Sequence, residues 1–67
     1  MKIENLLRSK VIWKKHPSSV RFFYYKDGDQ IFLLRINDFP DEILYTVING
    51  LEIHDIEDKP ITWELEK

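Results

Sequence analysis

A β-hairpin centred on Asp27-Gly28 constrains the fold of this chain more than any other feature. Two runs of aromatic and β-branched residues, 20–26 and 29–36, flank these two residues. Asp-Gly between such runs is a strong hairpin signal, because glycine tolerates the positive φ angle of a type I′ turn. With this dipeptide as the loop, the expected cross-strand pairs are Lys26–Asp29, Tyr24–Ile31, Phe22–Leu33 and Val20–Arg35 on one face, and Tyr25–Gln30, Phe23–Phe32 and Arg21–Leu34 on the other.

Both faces of this hairpin are apolar near the middle, so we expect a packed layer on each side. A short N-terminal helix can cover one face, with Trp63 arriving from the C-terminus. The opposite face then carries an exposed patch made of Phe23, Tyr25, Phe32 and Leu34. Aromatic patches flanked by charge are typical of interface centres, so these four residues are the predicted contact surface. The alternative is that strand curvature folds the second hairpin over this face and buries it within one chain.

A second hairpin is predicted over residues 43–56. Asn49-Gly50 separates two β-branched runs and is another type I′ signal. The expected pairs are Ile48–Leu51, Val47–Glu52, Thr46–Ile53 and Tyr45–His54. One face of this hairpin is mainly apolar and the other is half polar, so it is expected to bury a single side.

The remaining segments complete a small α+β fold. Residues 2–8 place Ile3, Leu6 and Leu7 on one helical stripe, and residues 10–15 form a first strand. Residues 61–65 alternate like a strand but are short enough to be a helical turn, and the two alternatives stay open. We therefore expect a short N-terminal helix on an antiparallel four- or five-stranded meander sheet. The residues expected to be well buried are Phe22, Phe32, Leu33, Ile48, Leu51 and Trp63.

Length and composition favour one cytoplasmic domain spanning residues 1–67. The chain has no cysteine, no apolar run of membrane-spanning length and no signal-peptide pattern. Its net charge of −2 conceals an asymmetry: residues 1–26 carry seven Lys/Arg and one acid, and residues 27–67 carry three Lys/Arg and eleven acids. The basic third could meet a nucleic acid, or it could be neutralised by the acidic remainder of the same fold.

No catalytic, cofactor-binding or metal-binding residues are predicted. Residues 54–58 combine His54 with three carboxylates, but neighbouring strand residues point to opposite faces and no second histidine lies nearby. His16 stands beside Pro17, Ser18 and Ser19. A catalytic serine needs a base within hydrogen-bond distance and a third group that orients the base, and adjacent loop residues do not supply this arrangement. Both glycines are used in turns, so no phosphate cradle is available.

One segment resembles a known group of proteins. Residues 34–46, Leu-Arg-Ile-Asn-Asp-Phe-Pro-Asp-Glu-Ile-Leu-Tyr-Thr, are similar to a segment of small uncharacterised bacterial proteins, whose pattern is L-R-x-N-D-F-P, acidic residues and L-Y-T. The opening residues 3–9, the Asn49-Gly50 turn and the ending Glu57-Asp58…Pro60…Trp63 fit the same pattern. Ile43 stands where that pattern has a proline. The resemblance implies a small stand-alone domain and carries no known activity.

The expected function is that of a non-enzymatic protein-interaction module, with another protein or a second copy of the chain as partner. No cofactor and no membrane contact are expected. The alternative is a small nucleic-acid-binding protein that uses its basic N-terminal third. Lys10, Lys14, Lys15 and Arg21 would then contact the phosphates, because they stand close in sequence to aromatic residues.

Overall fold

Six strands and one short helix make up the fold of this chain. The computed structural model describes residues 2–38 and 40–67. The elements are α1 (Ile3–Leu6), β1 (Val11–Lys15), β2 (Phe22–Asp27), β3 (Gln30–Ile36), β4 (Tyr45–Asn49), β5 (Glu52–Ile56) and β6 (Trp63–Leu65). The helix has only four residues, so the domain is mostly β.

The six strands form one mixed sheet in the order β5-β4-β3-β2-β1-β6. Strands β1 to β5 form an antiparallel meander, which confirms the expected short helix and largely antiparallel order. Strand β6 then pairs in parallel with β1, with Val11 opposite Trp63 and Trp13 opposite Leu65. The sheet is therefore larger than the four or five strands predicted and not purely antiparallel. Residues 63–65 are a strand, which settles the alternatives left open for the C-terminus.

The sheet is curled into a half-barrel. Strands β5 and β6 lie at opposite edges, yet only residues 57–62 connect them. Five strand spacings amount to about 24 Å in a flat sheet, which a connection of this length spans only when fully extended. This connection is bent, because the amide of Trp63 bonds the carbonyl of Pro60 at 3.0 Å. The two edges must therefore approach each other, and the curl gives the sheet a concave and a convex face.

Both tight hairpins have glycine at the first loop position rather than the second. Asp27 pairs with Gln30 and Asn49 pairs with Glu52, so the loops are Gly28-Asp29 and Gly50-Leu51. Both glycines have φ of 60°, and among the described residues no other residue type has a positive φ. A type I′ turn needs positive φ at both loop positions, whereas type II′ needs it only at the first. The predicted I′ registers are thus wrong, and every cross-strand partner is displaced by two residues.

This displacement leaves the two faces of each hairpin unchanged, because side chains alternate with a period of two. The concave face holds the core, whose buried members are Ile3, Leu6, Val11, Trp13, Phe23, Phe32, Leu34, Val47 and Trp63. The predicted exposed patch is therefore interior: Phe32 and Leu34 are 0% exposed, Phe23 is 8% exposed and Tyr25 is half-buried. The curl of the sheet wraps these residues, so the expectation that this face is exposed is wrong.

The predicted core is correct only in part. Phe32 and Trp63 are fully buried, whereas Phe22, Leu33 and Ile48 are half-buried on the convex face. Leu51 is fully exposed, because it occupies the second position of the type II′ loop and not a strand. The helix packs on the concave face, opposite to the side that the prediction placed it on.

Helix α1 is held by the C-terminal strand. The indole Nε1 of Trp63 donates a buried 3.0 Å hydrogen bond to the carbonyl of Leu6, the last helical residue, which also accepts from the Ser9 amide at 3.1 Å. The indole also packs edge-on against Trp13, with ring centroids 5.1 Å apart. A four-residue helix has no stability of its own, so these contacts position it.

Asn37 is the only buried polar residue among residues 2–38 and 40–67. Its amide Nδ2 donates to the carbonyl of Ile43 at 2.8 Å and to Oγ1 of Thr46 at 2.7 Å. Its Oδ1 accepts a 2.8 Å bond from the Arg35 guanidinium. These bonds fasten the β3–β4 connection to the sheet and satisfy the buried amide.

Candidate protein-interaction surface

A row of apolar side chains crosses the convex face of the sheet. Tyr24 on β2 pairs with Leu33 on β3, Leu33 pairs with Ile48 on β4, and Ile48 pairs with Ile53 on β5. Because directly paired residues point to the same face, these four side chains form one continuous line, here named the convex row. Its exposure increases toward the sheet edge, where Ile53 is 69% exposed.

Further exposed aliphatic residues widen this surface. Ile31 lies two positions from Leu33 on the same face of β3 and is 55% exposed. Ile12 on β1 is 54% exposed and lines a shallow cleft together with Lys14, Tyr24, Tyr25 and Lys26. A sheet face that carries this many isoleucines in solvent is a candidate contact surface.

Charge changes sign from one end of the convex row to the other. Lys14 pairs with Tyr24 at the β1 end, and Lys26 lies beside Ile31. At the β5 end Ile53 lies between Glu52 and Asp55, of which Asp55 shares its face. The surface is therefore apolar along its centre, cationic at one side and acidic at the other.

A polar row borders the convex row. Arg35 pairs with Thr46, and Thr46 pairs with Asp55. The hydroxyl of Thr46 donates a 2.7 Å bond to the Asp55 carboxylate, and the Arg35 guanidinium lies 3.7 Å from the Glu42 carboxylate. This polar border beside an apolar centre is the arrangement found at protein interfaces.

The loop around His16 does not assemble a nucleophile. The Nδ1 atom of His16 accepts a 3.1 Å bond from the amide of Ser18, and its ring packs edge-on against Phe22. The hydroxyl oxygen of Ser19 accepts from the amide of Arg21 at 3.2 Å. These residues line an open cleft with Lys15, Pro17 and Val20, but their bonds are those of a turn.

The carboxylates near His54 do not converge. His54 pairs with Val47 on the concave side, whereas Asp55 pairs with Thr46 on the convex side. Within residues 2–38 and 40–67, no group of three His, Asp or Glu side chains could hold a metal ion. The chemistry of this strand is therefore that of an acidic surface.

The four cations proposed for nucleic-acid contact do not form one patch. Lys14 lies on the convex face and Lys15 on the other, because they are neighbours in β1. The guanidinium of Arg21 is 2.7 Å from the Asp38 carboxylate and also bonds the carbonyl of Ile36. Lys10 precedes the strand and is exposed. Lys26, which was not among the four, lines the same cleft as Lys14, Tyr24 and Tyr25.

No helix in the described part of the chain is long and apolar enough to cross a membrane. Comparison with known proteins finds no matching family model, no similar curated protein and no similar solved structure.

The convex row was not identified from the sequence as a contact surface, although Ile31, Leu33, Ile48 and Ile53 were assigned to strands. Apolar residues on both faces indicate two packed layers, and the pattern does not reveal which layer a small chain can supply. The two tryptophans in β1 and β6 could have indicated which face is the core, because such large apolar residues are the most costly to leave exposed.

Proposed function

We propose that this chain is a non-enzymatic protein-interaction module that uses the convex row and Ile31 as its contact surface. The observation that carries the proposal is the exposure of Ile31 and Ile53, 55% and 69%, on an ordered sheet face whose opposite side is already a complete core. The surface is apolar at its centre and polar at its border, which is the composition of interface patches.

The exposed isoleucines are not needed to hold the fold together. The tryptophans, phenylalanines and helix residues of the core are all on the concave side, and the sheet ladder runs through the backbone. Replacing Ile31 with a polar residue should thus change stability little, since substitutions at exposed positions usually have small effects. A contiguous line of such apolar side chains on one sheet face points to a contact with another molecule.

The partner is a different protein rather than a second copy. Two convex sheet faces touch over a small area, which limits a face-to-face dimer. The free sheet edges of two copies also repel each other, because β5 carries Glu52 and Asp55 and β6 is followed closely by Glu66.

Matched isoleucine substitutions test the proposal. Ile31→Lys places a charge at the centre of the surface, and Ile61→Lys makes the same change in the turn before β6, where Ile61 is 98% exposed. We expect cross-linking in the native host to yield a protein adduct with the parent chain and with Ile61→Lys, and to lose it with Ile31→Lys. Equal adducts from both variants, or sedimentation showing a dimer that survives Ile31→Lys, would contradict the proposal.

A second candidate function is binding of single-stranded nucleic acid. It is favoured by the cleft in which Lys14 and Lys26 flank Tyr24, because cations beside an aromatic platform suit phosphates and bases. In this case fluorescence anisotropy of a labelled oligonucleotide should show binding that weakens steeply with salt and is lost in Lys14→Glu. Lys67→Glu, which makes the same charge change at the C-terminus, is the matched control. No anisotropy change at low salt would remove this candidate.

A further inference from the structure

Strand β5 is a free edge of the sheet and is open to solvent. Glu52 to Asp55 are all exposed, and only Ile56 is half-buried. Most proteins protect such an edge by covering it or by making it short, because its unpaired amides and carbonyls attract other strands. Among the described residues no other strand pairs with the outer side of β5.

The outward-facing backbone groups of β5 belong to Ile53 and Asp55. In a two-residue hairpin the closing pair, here Asn49 and Glu52, exchanges both hydrogen bonds, and bonded and non-bonded pairs then alternate. His54 and Ile56 therefore bond β4 with both backbone groups. The amides and carbonyls of Ile53 and Asp55 point away from β4, and no other hydrogen bond to them is present in the described chain.

The charge of this edge specifies the occupant. Residues 51–58 contain Glu52, Asp55, Glu57 and Asp58 and no Lys or Arg. None of the four carboxylates has a cationic partner within the described residues, where the ion pairs are those of Arg21 and Arg35. Two copies of this edge would place like charges opposite each other, so the edge is complementary to a cationic strand and not to itself.

We infer that the β5 edge binds an extended, cationic segment of another protein as a seventh strand of the sheet. Main-chain hydrogen bonds to Ile53 and Asp55 supply the attachment, and alternate side chains supply the specificity. This inference rests on the proposed interaction function and adds to it the position and the chemistry of the partner. The exposed Ile53 belongs to both surfaces, since it ends the convex row at the edge.

The register of β5 defines the sequence of the segment. An apolar residue fits opposite Ile53 and Ile56, and a lysine or arginine fits opposite Asp55 and Glu52. Read antiparallel to β5, with two cations for Glu57 and Asp58, this gives Lys-Lys-Val-Lys-Thr-Val-Lys, where threonine faces His54. The parallel alternative is the reverse order, so the two peptides distinguish the orientation.

The test measures binding of these peptides to the whole chain by amide chemical shifts and amide exchange. We expect one of the two peptides to slow exchange at Ile53 and Asp55, the residues whose amides face outward. The same peptide with its lysines replaced by glutamates should bind at least about tenfold more weakly, because it repels the acidic edge. No binding of either lysine peptide, or protection confined to another strand, would overturn the inference.

Two variants locate the site. Ile53→Pro removes an outward amide without removing a bond to β4. It should weaken binding of the lysine peptide at least about tenfold, while circular dichroism shows that the domain remains folded. Glu52→Lys leaves the backbone hydrogen-bonding groups unchanged. It should weaken binding of the lysine peptide by a similar factor and reduce the salt dependence of that binding. Glu64→Lys, the same charge change on β6, is the matched control and should bind like the parent. Unchanged binding by folded Ile53→Pro or by Glu52→Lys would overturn the inference.

These results separate the inference from the proposed function. Loss of the host adduct in Ile31→Lys together with no peptide binding would refute the edge site and retain the interaction module. Peptide binding that Glu52→Lys weakens supports the edge site, whatever the result at Ile31.

Discussion

Replacing each of the two buried tryptophans with phenylalanine separates the contribution of one hydrogen bond from that of packing. Trp13 and Trp63 are 0% and 1% exposed and contact each other edge-on. The Nε1 atom of Trp63 donates to the carbonyl of Leu6, whereas that of Trp13 is buried with no acceptor among the described residues. The two substitutions delete the same atoms from the same cluster and differ mainly in that bond.

The expected cost differs between the two sites. Loss of the second indole ring removes packing worth about 1–2 kcal/mol at either position. Trp63→Phe also removes the indole hydrogen bond to the Leu6 carbonyl, which keeps only its 3.1 Å bond from the Ser9 amide. This loss adds about 0.5–1.5 kcal/mol. Trp13→Phe instead removes a desolvated donor that has no partner, and this offsets part of its packing loss. We therefore expect Trp63→Phe to be the more destabilising by at least about 1 kcal/mol.

Urea unfolding followed by far-ultraviolet circular dichroism measures this difference directly. Each variant keeps one tryptophan, so its fluorescence gives an independent second transition that must coincide with the first. Equal unfolding free energies for the two variants, with the same dependence on urea, would refute the reasoning. A less stable Trp13→Phe would show that the Trp13 indole has a favourable polar contact in the folded chain.

Three further outcomes follow from burial, backbone conformation and polar contacts. Phe32→Ala should lose about 3–5 kcal/mol of stability, and Phe22→Ala clearly less, because Phe32 is fully buried and Phe22 is half-buried; equal losses in urea unfolding would contradict this. Gly50→Ala should lower stability by about 1–2 kcal/mol through its φ of 60°, since no atom lies close enough to a new Cβ to clash. A melting temperature equal to that of the parent would argue against this turn type. Asn37→Ala should cost about 2–3 kcal/mol and increase amide exchange in residues 41–44, because it removes three hydrogen bonds that attach this segment to the sheet; unchanged exchange would show that other contacts hold this segment.

The strand assignments and the division of each hairpin into two faces could be predicted from the sequence. The register could not be obtained from the turn dipeptides alone, because glycine fits the second position of a type I′ loop and the first of a type II′ loop. The cross-strand residue pairs that each turn type creates distinguish the two registers. The observed register places Tyr25 opposite Phe32 and Phe23 opposite Leu34, whereas the predicted one placed Tyr25 opposite Gln30 and Leu34 opposite Arg21. Cross-strand apolar pairs favour the observed arrangement.

Which face of the first hairpin becomes the core depends on residues far away in sequence. Tyr25 and Phe32 face inward because Trp13 on β1 packs against Tyr25, with ring centroids 6.1 Å apart. The side occupied by Trp13 depends in turn on β6, which reaches β1 only after the chain has crossed from β5. Local periodicity describes each strand separately and contains no information about this crossing.

The same crossing makes the two ends of the chain a single structural unit. Strand β1 bonds β6 through the amide of Val11 to the carbonyl of Thr62 and through the amide of Glu66 to the carbonyl of Trp13. The hydroxyl of Thr62 bonds the carbonyl of Ser9 at 3.0 Å, and the Trp63 indole holds the end of the helix. These contacts join residues separated by 51 to 57 positions, so closing them costs more chain entropy than closing a local hairpin. We therefore expect them to form after the hairpins. Opening of β6 must therefore release the helix and uncover the tryptophan pair together, while the β2–β3 and β4–β5 ladders keep their own bonds.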